Sequence, residues 1–312
     1  MTPQQQLVEE VVGRYADSPN QRLKEVMEAA VRHLHAFVAE VNLTRDEWFE
    51  GIKFLTAVGQ ICSDTRQEWI LMSDSLGVST LVEMLNYNAS DGTTDNTVLG
   101  PFFVAGSPER ANGSSMLVDP DDGDRVVVRG RITDVDGNPL SGVVLDVWQN
   151  NTAGFYACQQ PGIQSSENLR GIYRTDENGN YEIRTVRPVP YPIPFDGPVG
   201  ALLKANGRNW MRPGHLHFWL HHPGFKDLIT HVFDTESEYL HDDAVFGVRD
   251  SLVCHFTPTG VDGEFETTFD FVGRRRYGYS VSMLLLVLTV VFLIARGGLN
   301  LGIDFKGGIS WE

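Results

Sequence analysis

The chain has 312 residues, a formal net charge of -16 at pH 7 and 42% hydrophobic residues. This length allows a large buried core in one or two domains, and the acidic balance without a basic face argues against nucleic acid as a partner. The three cysteines, Cys62, Cys158 and Cys254, show no paired spacing, which indicates a reduced, cytoplasmic setting. No charged head followed by an apolar run opens the sequence, so we expect no secretory signal.

The N-terminal part of the sequence predicts helices. Apolar side chains recur at three- and four-residue spacing from Leu23 to Val41, which predicts a helix whose apolar face suits a core or a dimer interface. Thr44 to Glu47 have the sequence of a capping box, which predicts the start of a helix that reaches Ile61. Two shorter helices and a polar, glycine-containing linker follow; they are predicted at residues 66–76, 79–85 and 88–96.

From about residue 126 the hydrophobic period changes to alternation, which predicts short strands separated by turn sequences rich in Asp, Asn and Gly. The predicted strands cover residues 126–132, 143–148, 171–175, 181–186, 215–220 and 229–233. Short strands at this spacing predict an antiparallel β-sandwich. The predicted fold is therefore mainly β with an N-terminal α segment, in which residues 1–96 are helical, residues 97–272 form the sandwich and residues 273–312 are a separate tail.

Two histidines alternate within Arg212-Pro213-Gly214-His215-Leu216-His217. Because alternate side chains of a strand share a face, His215 and His217 point the same way and can bind one metal ion. Tyr156 and Tyr191 lie upstream in loop-like segments. Two phenols with two imidazoles suit a hard, high-charge cation, and Fe(III) is the best candidate because such a cation favours phenolate ligands. The alternative is an ordinary polar pair of histidines on a strand.

Four motifs, taken together and in order, point to one family. They are Thr97-Val98-Leu99-Gly100-Pro101-Phe102-Phe103, Leu145-Asp146-Val147-Trp148-Gln149-Asn150 leading into Tyr156, Tyr191, and Arg212-Pro213-Gly214-His215-Leu216-His217. With these motifs, residues 5–270 resemble the intradiol ring-cleaving dioxygenases, non-haem iron(III) enzymes that open catechol-type rings between the two hydroxyls. The resemblance implies that one ferric ion is bound by Tyr156, Tyr191, His215 and His217.

The resemblance also implies roles for individual residues. Tyr191 would be displaced from the iron by the substrate and act as the base for its second hydroxyl proton. Arg212 would stabilise the negative charge that develops during the reaction, with a surface salt bridge as the alternative. Asp74 would accept a third ring hydroxyl, with a solvent-facing helix position as the alternative. The implied substrate pocket draws on several segments: Leu71, Asp74, Val98, Gly100, Pro101, Phe102, Ile193, Pro194, Arg212 and Val245.

Residues 191–200 and 230–248 resemble the branch of the family that cleaves hydroxyquinol, and His231 stands where simple catechol enzymes usually carry glutamine. This implies that benzene-1,2,4-triol reacts with O2 to give 3-hydroxy-cis,cis-muconate and then maleylacetate, in the breakdown of aromatic compounds. Cleavage of catechol or chlorocatechol is the alternative within the family. A metal-free β-sandwich binding module on a membrane anchor is the alternative of another class. The family also implies a homodimer formed by the N-terminal helices, with room for a bound lipid.

The C-terminal tail differs from the rest of the chain. Residues 278–295 carry no charge and follow Arg274, Arg275 and Arg276, which predicts a membrane-spanning helix with the arginines and the iron site on the cytoplasmic side. The segment Gly302-Ile303-Asp304-Phe305-Lys306-Gly307-Gly308 then resembles the start of SecF, a membrane subunit that assists bacterial protein export. We therefore predict a dioxygenase joined to a fragment of a membrane protein.

Overall fold

A computed structural model of the chain describes residues 1–63, 66–87 and 92–273. The predicted membrane helix at residues 278–295 and the SecF-like segment lie outside the described residues. The chain divides into two compact units, Met1–Trp69 and Ile70–Glu312, and the predicted boundaries at residues 96 and 272 stay predictions. Within the part of the chain that the structure describes, no helix is both long and apolar enough to cross a membrane.

The first unit contains three helices, which are α1 (Pro3–Gly13), α2 (Gln21–Glu40) and α3 (Arg45–Ile61). The predicted capping box is confirmed, since Thr44 Oγ1 accepts a bond from the amide of Glu47 at 3.3 Å and Glu47 Oε2 accepts one from the amide of Thr44 at 2.9 Å. The predicted apolar face lies on α2 but is largely exposed, with Leu34 at 63% and Phe37 at 53%. It is therefore not the core of this unit, and the dimer interface stays a prediction.

Three more helices follow: α4 (Glu68–Ser75), α5 (Val78–Asn86) and α6 (Pro198–Ala205). The first two confirm the predicted short helices, and α4 begins in the first unit and ends in the second. The sequence did not predict α6, because eight residues are too few to establish a helical period. Its start is nevertheless conventional, since Pro198 occupies the first turn. The N–H groups of that turn have no partner within the helix, so a proline there loses no hydrogen bond.

The second unit contains twelve described strands. They are β1 (Arg125–Asp134), β2 (Val144–Trp148), β3 (Arg170–Arg174), β4 (Asn180–Val186), β5 (Tyr191–Pro192), β6 (Met211–Arg212), β7 (His215–His221), β8 (Leu228–Asp234), β9 (Val253–Cys254), β10 (Thr257–Pro258), β11 (Glu264–Thr268) and β12 (Phe271–Gly273). All six predicted strands are confirmed, as β1 to β4, β7 and β8. One sheet has the order β10-β11-β1-β12 with β4 also paired to β1, and the other has the order β3-β2-β7-β8-β9.

The two sheets enclose one hydrophobic core, as a sandwich requires. Val126 and Ile183 from the first sheet and Leu145, Leu216 and Phe218 from the second belong to one cluster of fully buried side chains. The prediction of purely antiparallel sheets is wrong, because β1 pairs in parallel with β11 and β12, and β8 pairs in parallel with β9. The long connections between these partners impose no direction on the pairing, which a hairpin would.

Strand register brings distant parts of the sequence together at one end of the second sheet. Trp148 of β2 lies opposite His217 of β7, and His217 in turn lies opposite His231 of β8. A separate two-stranded ladder places Tyr191 of β5 opposite Arg212 of β6, and β7 begins three residues after β6 ends. The fold therefore gathers the two tyrosines, the histidines and the arginine of the predicted site.

Candidate metal centre

His215 and His217 lie side by side on the central strand β7, as the alternation predicted. Both are buried, and their Nε2 atoms are 3.1 Å apart. His215 Nδ1 donates to the carbonyl of Pro213 at 2.7 Å, which leaves a lone pair on Nε2 directed into the site. The ring of His217 stacks on Trp148 at 4.7 Å, so its orientation is fixed by packing. The pair has the geometry that two ligands of one ion need.

The two tyrosines approach the same point from loops. Tyr156 opens a short 3-10 turn at Ala157–Gln159, and its hydroxyl lies 2.9 Å from Nε2 of His217. Tyr191 on β5 is paired in register with Arg212, and its phenol ring lies 5.3 Å from that of Tyr156. Tyr156 and Tyr191 are both buried. The structure thus brings together all four side chains that the sequence marked as metal ligands.

A third imidazole, that of His231, faces the same pair. Its ring lies 4.3 Å from that of His217 and 4.6 Å from that of His215. Nδ1 of His231 lies 2.9 Å from Thr97 Oγ1, and Nε2 has no hydrogen-bond partner among the described residues. The sequence marked His231 only as a branch signature. Its place opposite His217 could have been found by pairing the two strands in register.

Burial sets the charge state of these groups in the protein without a metal. Burial raises the pKa of Tyr156 well above 10.0, and the neighbouring Tyr191 raises it further. Burial also raises the pKa of Tyr191, although Arg212 partly opposes this. For His215 and His217, burial lowers the pKa well below 6.5. Phenols and imidazoles are therefore neutral here, and only a bound cation would favour the phenolates.

The buried histidines give the metal-free protein a defined acid sensitivity. Burial lowers the pKa of His215, His217 and His231 well below 6.5, so the fold keeps them neutral while the unfolded chain binds protons below about pH 6.5. The free energy of unfolding should therefore fall as pH falls below about 6.5, by up to about 1.4 kcal/mol per pH unit for each histidine. Burial raises the pKa of Asp74, which has the opposite sign and adds stability as pH falls towards about 3.9.

Urea denaturation of the metal-free protein between pH 7.5 and 5.5 measures this slope. His231→Asn should reduce it by about one third, because one of three proton uptakes is removed. His221→Asn is the matched control, since His221 lies at the exposed end of the same strand as His215 and His217. An unchanged slope in His231→Asn would contradict the assignment of the acid sensitivity to these buried rings.

Arg212 is buried at the edge of the site, with 2% of its surface exposed. Its Nε and Nη2 donate to the two carboxylate oxygens of Asp243 at 3.0 and 3.3 Å, and Nη1 donates to Nε2 of His215 at 3.2 Å. Burial acts to lower the pKa of Arg212, but Asp243 and Tyr191 raise it by more, so the cation is retained. The alternative of a surface salt bridge is wrong, because the pair with Asp243 is buried.

Several residues of the predicted substrate pocket contact the cluster. A Cβ added at Gly100 would lie 3.3 Å from Cε1 of His217, and Phe102 stacks on Tyr156 at 4.8 Å. Val98 is buried and follows Thr97, whose Oγ1 lies 2.9 Å from Nδ1 of His231, and Asp74 lies close enough to Arg212 and Asp243 for their charges to shift its pKa. The remaining members of the pocket stay predictions: Leu71, Pro101, Ile193, Pro194 and Val245.

The surroundings of Asp74 contradict the alternative that it is a solvent-facing helix residue. It is 2% exposed, so it is not a solvent-facing helix position. Its Oδ1 has no hydrogen-bond partner among the described residues, and burial raises its pKa. An unsatisfied buried carboxyl oxygen is unfavourable by itself. It is suited to a ligand that brings its own hydroxyl donor.

The donor set fits a ferric ion. Two phenols and two imidazoles meet in a dry site, and the lone pair on Nε2 of His215 is already turned inward. The carboxylate of Asp243 is held by Arg212, which disfavours the two-histidine, one-carboxylate arrangement of ferrous sites. Nitrogen atoms of His215, His217 and His231 also lie within 4.8 Å of one another, a set that zinc could use. The phenols favour iron, because zinc sites seldom use tyrosine.

Comparison with known proteins agrees with this chemistry. A family model described as "Dioxygenase" matches residues 98–274, and one described as "Catechol dioxygenase N terminus" matches residues 20–94. The hydroxyquinol 1,2-dioxygenase of Rhizobium sp. (strain MTP-10005) is 50% identical over 248 residues, which cover 80% of this chain and 84% of that protein. The 6-chlorohydroxyquinol 1,2-dioxygenase of Cupriavidus pinatubonensis (strain JMP 134 / LMG 1197) is 46% identical over 269 residues, which cover 86% and 96%.

The fold is similar as well. The crystal structure of hydroxyquinol 1,2-dioxygenase from Pseudomonas putida DLL-E4 superimposes with a TM-score of 0.82 at 45% identity, covering 88% of this chain and 99% of that chain. Fold, identity and coverage together define an aromatic ring-cleaving dioxygenase. Within that class, the chain belongs to the intradiol dioxygenase family. Neither family model extends past residue 274, so the SecF-like resemblance of the tail stays a prediction.

Proposed function

We propose that the chain is an Fe(III) enzyme that cleaves hydroxyquinol, benzene-1,2,4-triol, with O2 between two adjacent hydroxyls. The product is 3-hydroxy-cis,cis-muconate, which tautomerises to maleylacetate. The observation that carries the proposal is the convergence of Tyr156, Tyr191, His215 and His217 in one buried site. The names of the relatives with 45–50% identity support the choice of substrate.

We assign the metal ligands to the two tyrosines and the two histidines of this site. A ferric ion bound there would supply a Lewis acid that holds the diol and withdraws electron density from its ring. The protein positions the four ligands and shields them from solvent. All four side chains are buried, and the histidines are fixed by Pro213 and Trp148. Because His215 and His217 are already fixed, these two ligands need no reorganisation during the reaction.

Tyr191 and Arg212 act on protons and charge. The Tyr191 phenolate would accept the proton of the second substrate hydroxyl and become a neutral phenol. Arg212 favours the ionised form that this transfer needs, because a cation beside a phenol lowers its pKa. The Nη1 group of Arg212, which is not held by Asp243, faces the ligand side of the site at His215. It is placed to stabilise negative charge that develops on the substrate.

Asp74 gives the site its preference for a triol. Its buried, unsatisfied Oδ1 accepts a hydrogen bond from the third ring hydroxyl, which catechol lacks. A site built to bind a hydroxyl discriminates against the analogue without it, because the buried polar group is then left unpaired. Catechol and chlorocatechol are accordingly the poorer substrates in this proposal.

Steady-state kinetics test the substrate. We expect kcat/KM for hydroxyquinol to exceed that for catechol, and Asp74→Ala to lower the hydroxyquinol value by about 10- to 100-fold, the effect of losing a hydrogen bond to a charged group. The value for catechol should change little. Glu83→Gln is the matched control, because Glu83 is a partly buried acid of α5 that bonds to Asn96. Equal use of catechol by the unaltered enzyme would favour the simpler catechol branch.

The N-terminal helices supply the proposed homodimer interface. The support is a set of exposed apolar side chains on α2, at its C-cap and on α3, which are Leu23, Leu34, Phe37, Val38, Val41, Trp48, Phe49 and Ile52. A second copy of the chain would cover this surface, and its apolar character is compatible with a bound lipid.

The C-terminal tail is proposed to anchor a cytoplasmic catalytic unit to the membrane. The support is the uncharged run at residues 278–295 and the three arginines that precede it. The proposal separates anchoring from catalysis, because every proposed ligand and pocket residue lies upstream of residue 273.

Removing everything after Gly273, the last residue of β12, should leave ring cleavage unchanged and abolish membrane association. Carbonate extraction of membranes that contain the full chain is the paired measurement, and the protein should stay in the pellet. Release of the full chain into the supernatant would contradict the anchor. Loss of activity in a folded truncated protein would show that the tail contributes to catalysis.

A further inference from the structure

The loop from Asp243 to Gly247 is organised around one carboxylate. Asp243 Oδ1 accepts bonds from Nε of Arg212 at 3.0 Å and from the amide of Val245 at 3.3 Å. Its Oδ2 accepts bonds from Nη2 of Arg212 at 3.3 Å and from the amide of Gly247 at 2.9 Å. Each carboxylate oxygen therefore accepts one hydrogen bond from the guanidinium and one from the loop backbone.

The same loop contains a backbone conformation that needs support. Phe246 has a φ of 58°, in the left-handed region that a residue with a bulky side chain rarely adopts. Its amide donates to the carbonyl of Asp243 at 3.1 Å, and the amides on either side of it are those bonded to the Asp243 carboxylate. The carboxylate thus stabilises a strained turn as well as a buried cation.

The space around the pair leaves little freedom. A Cβ added at Gly247 would lie 2.9 Å from Nη2 of Arg212 and 3.2 Å from Oδ2 of Asp243. On the other face of the loop, Thr80 Oγ1 donates to the carbonyl of Val245 at 3.1 Å. Val245 is predicted to line the substrate pocket. The Asp243 side chain therefore holds both this pocket residue and the Arg212 guanidinium in place.

We propose that Asp243 is a positioning residue for ring cleavage, which sets the direction of Arg212 Nη1 and the position of Val245 at the same time. It binds the guanidinium through Nε and Nη2 and leaves Nη1 to face the site at His215. A bidentate pair fixes the plane of the guanidinium as well as its distance. The inference rests on the proposed function, because it concerns how that reaction is supported.

Asp243→Asn tests the inference, because the amide keeps the shape but has one acceptor oxygen where the structure uses two. We expect kcat for hydroxyquinol to fall by about 10- to 100-fold, the usual effect of losing a partner that orients a functional group, with iron content retained. In the Arg212→Ala background the same change should lower kcat much less than in the unaltered enzyme, because only the effect on the Val245 loop is then left. Additive losses in kcat would overturn the proposal.

A second variant and a control complete the test. Gly247→Ala keeps both charges, but the added methyl group would press against Arg212 and Asp243. This variant should also lower kcat with iron retained. Normal kcat in the folded variant would overturn the proposal even if Asp243→Asn failed to fold. Asp234→Asn is the matched control, because the Asp234 side chain is equally buried but pairs with Arg187 at 2.6 Å and not with Arg212. It should lose stability but keep kcat.

Unfolding of the metal-free protein provides a readout that is independent of turnover. The destabilisation by Arg212→Ala and that by Asp243→Asn should be strongly non-additive, as expected for two partners of one buried pair. Failure of the unaltered enzyme to cleave any catechol-type ring would reject the proposed function. Normal cleavage with a kcat unaffected by Asp243→Asn would reject only the positioning role.

Discussion

His217→Ala is expected to remove the metal and to reduce ring cleavage to the background level. His217 is central to the site, since its Nε2 lies 2.9 Å from the Tyr156 hydroxyl and 3.1 Å from Nε2 of His215. Loss of a residue that only orients a ligand typically weakens metal binding or activity by 10- to 100-fold, so loss of a ligand should exceed about 100-fold. We expect a ferric ion bound by tyrosinates to colour the purified protein through charge transfer, and this colour should disappear with the iron.

Metal analysis, a visible spectrum and oxygen uptake measure this outcome together. His221→Ala is the control, because His221 ends the same strand but is exposed and bonded to Asp227. His217→Ala with full iron content would contradict the proposed ligand set. A colourless wild-type protein that contains zinc would instead favour the cluster of three histidines that includes His231.

Arg212→Ala is expected to have two separate effects. It should lower kcat by about 100-fold, the typical effect of removing one preorganised group that stabilises developing charge. It should also destabilise the fold by about 3–5 kcal/mol, because it leaves the Asp243 carboxylate buried without its cation. Iron content should stay intact, since Arg212 is not among the proposed ligands.

Kinetics on the iron-loaded enzyme and urea denaturation separate the two effects. Arg212→Lys should be compared with Arg212→Ala, because lysine keeps the charge but cannot form the bidentate pair with Asp243. Lysine should recover part of the stability and little of kcat. If Arg212→Ala loses iron in proportion to activity, the role of the arginine is to support the metal site rather than to stabilise charge.

The sequence predicted those parts of the fold and site that local patterns encode. Alternation identified six of the seven described strands that have five or more residues, and the spacing of His215 and His217 gave their common face because side chains on a strand repeat every two residues. The capping box at Thr44 likewise depends on residues that are neighbours in the chain. Tyr156 and Tyr191 were candidates as loop tyrosines upstream of the histidines, and the family resemblance implied that they are ligands, since nothing local distinguishes Tyr156 from other loop tyrosines.

What the sequence did not predict depends on contacts between distant segments. His231 enters the site only through the register of β8 against β7, and Asp243 only through the fold of a loop after β8. The parallel pairing of β1 with β11 joins strands more than a hundred residues apart, beyond the reach of turn signals. The burial of Asp74, which changes the interpretation of that residue, is likewise a tertiary property.

Tyr191 differs from the other proposed ligands in how its backbone is held. His215 and His217 lie on a central strand of seven residues paired on both sides, whereas Tyr191 lies on a two-residue ladder and is flanked by Pro190 and Pro192. Prolines fix their own backbone torsion and provide no amide for pairing, and a short ladder opens at a lower free energy than a central strand. The ligand that we propose leaves the iron therefore lies where a rotation of the side chain would disturb the fewest backbone bonds, so that ligand exchange would not require the sandwich to open.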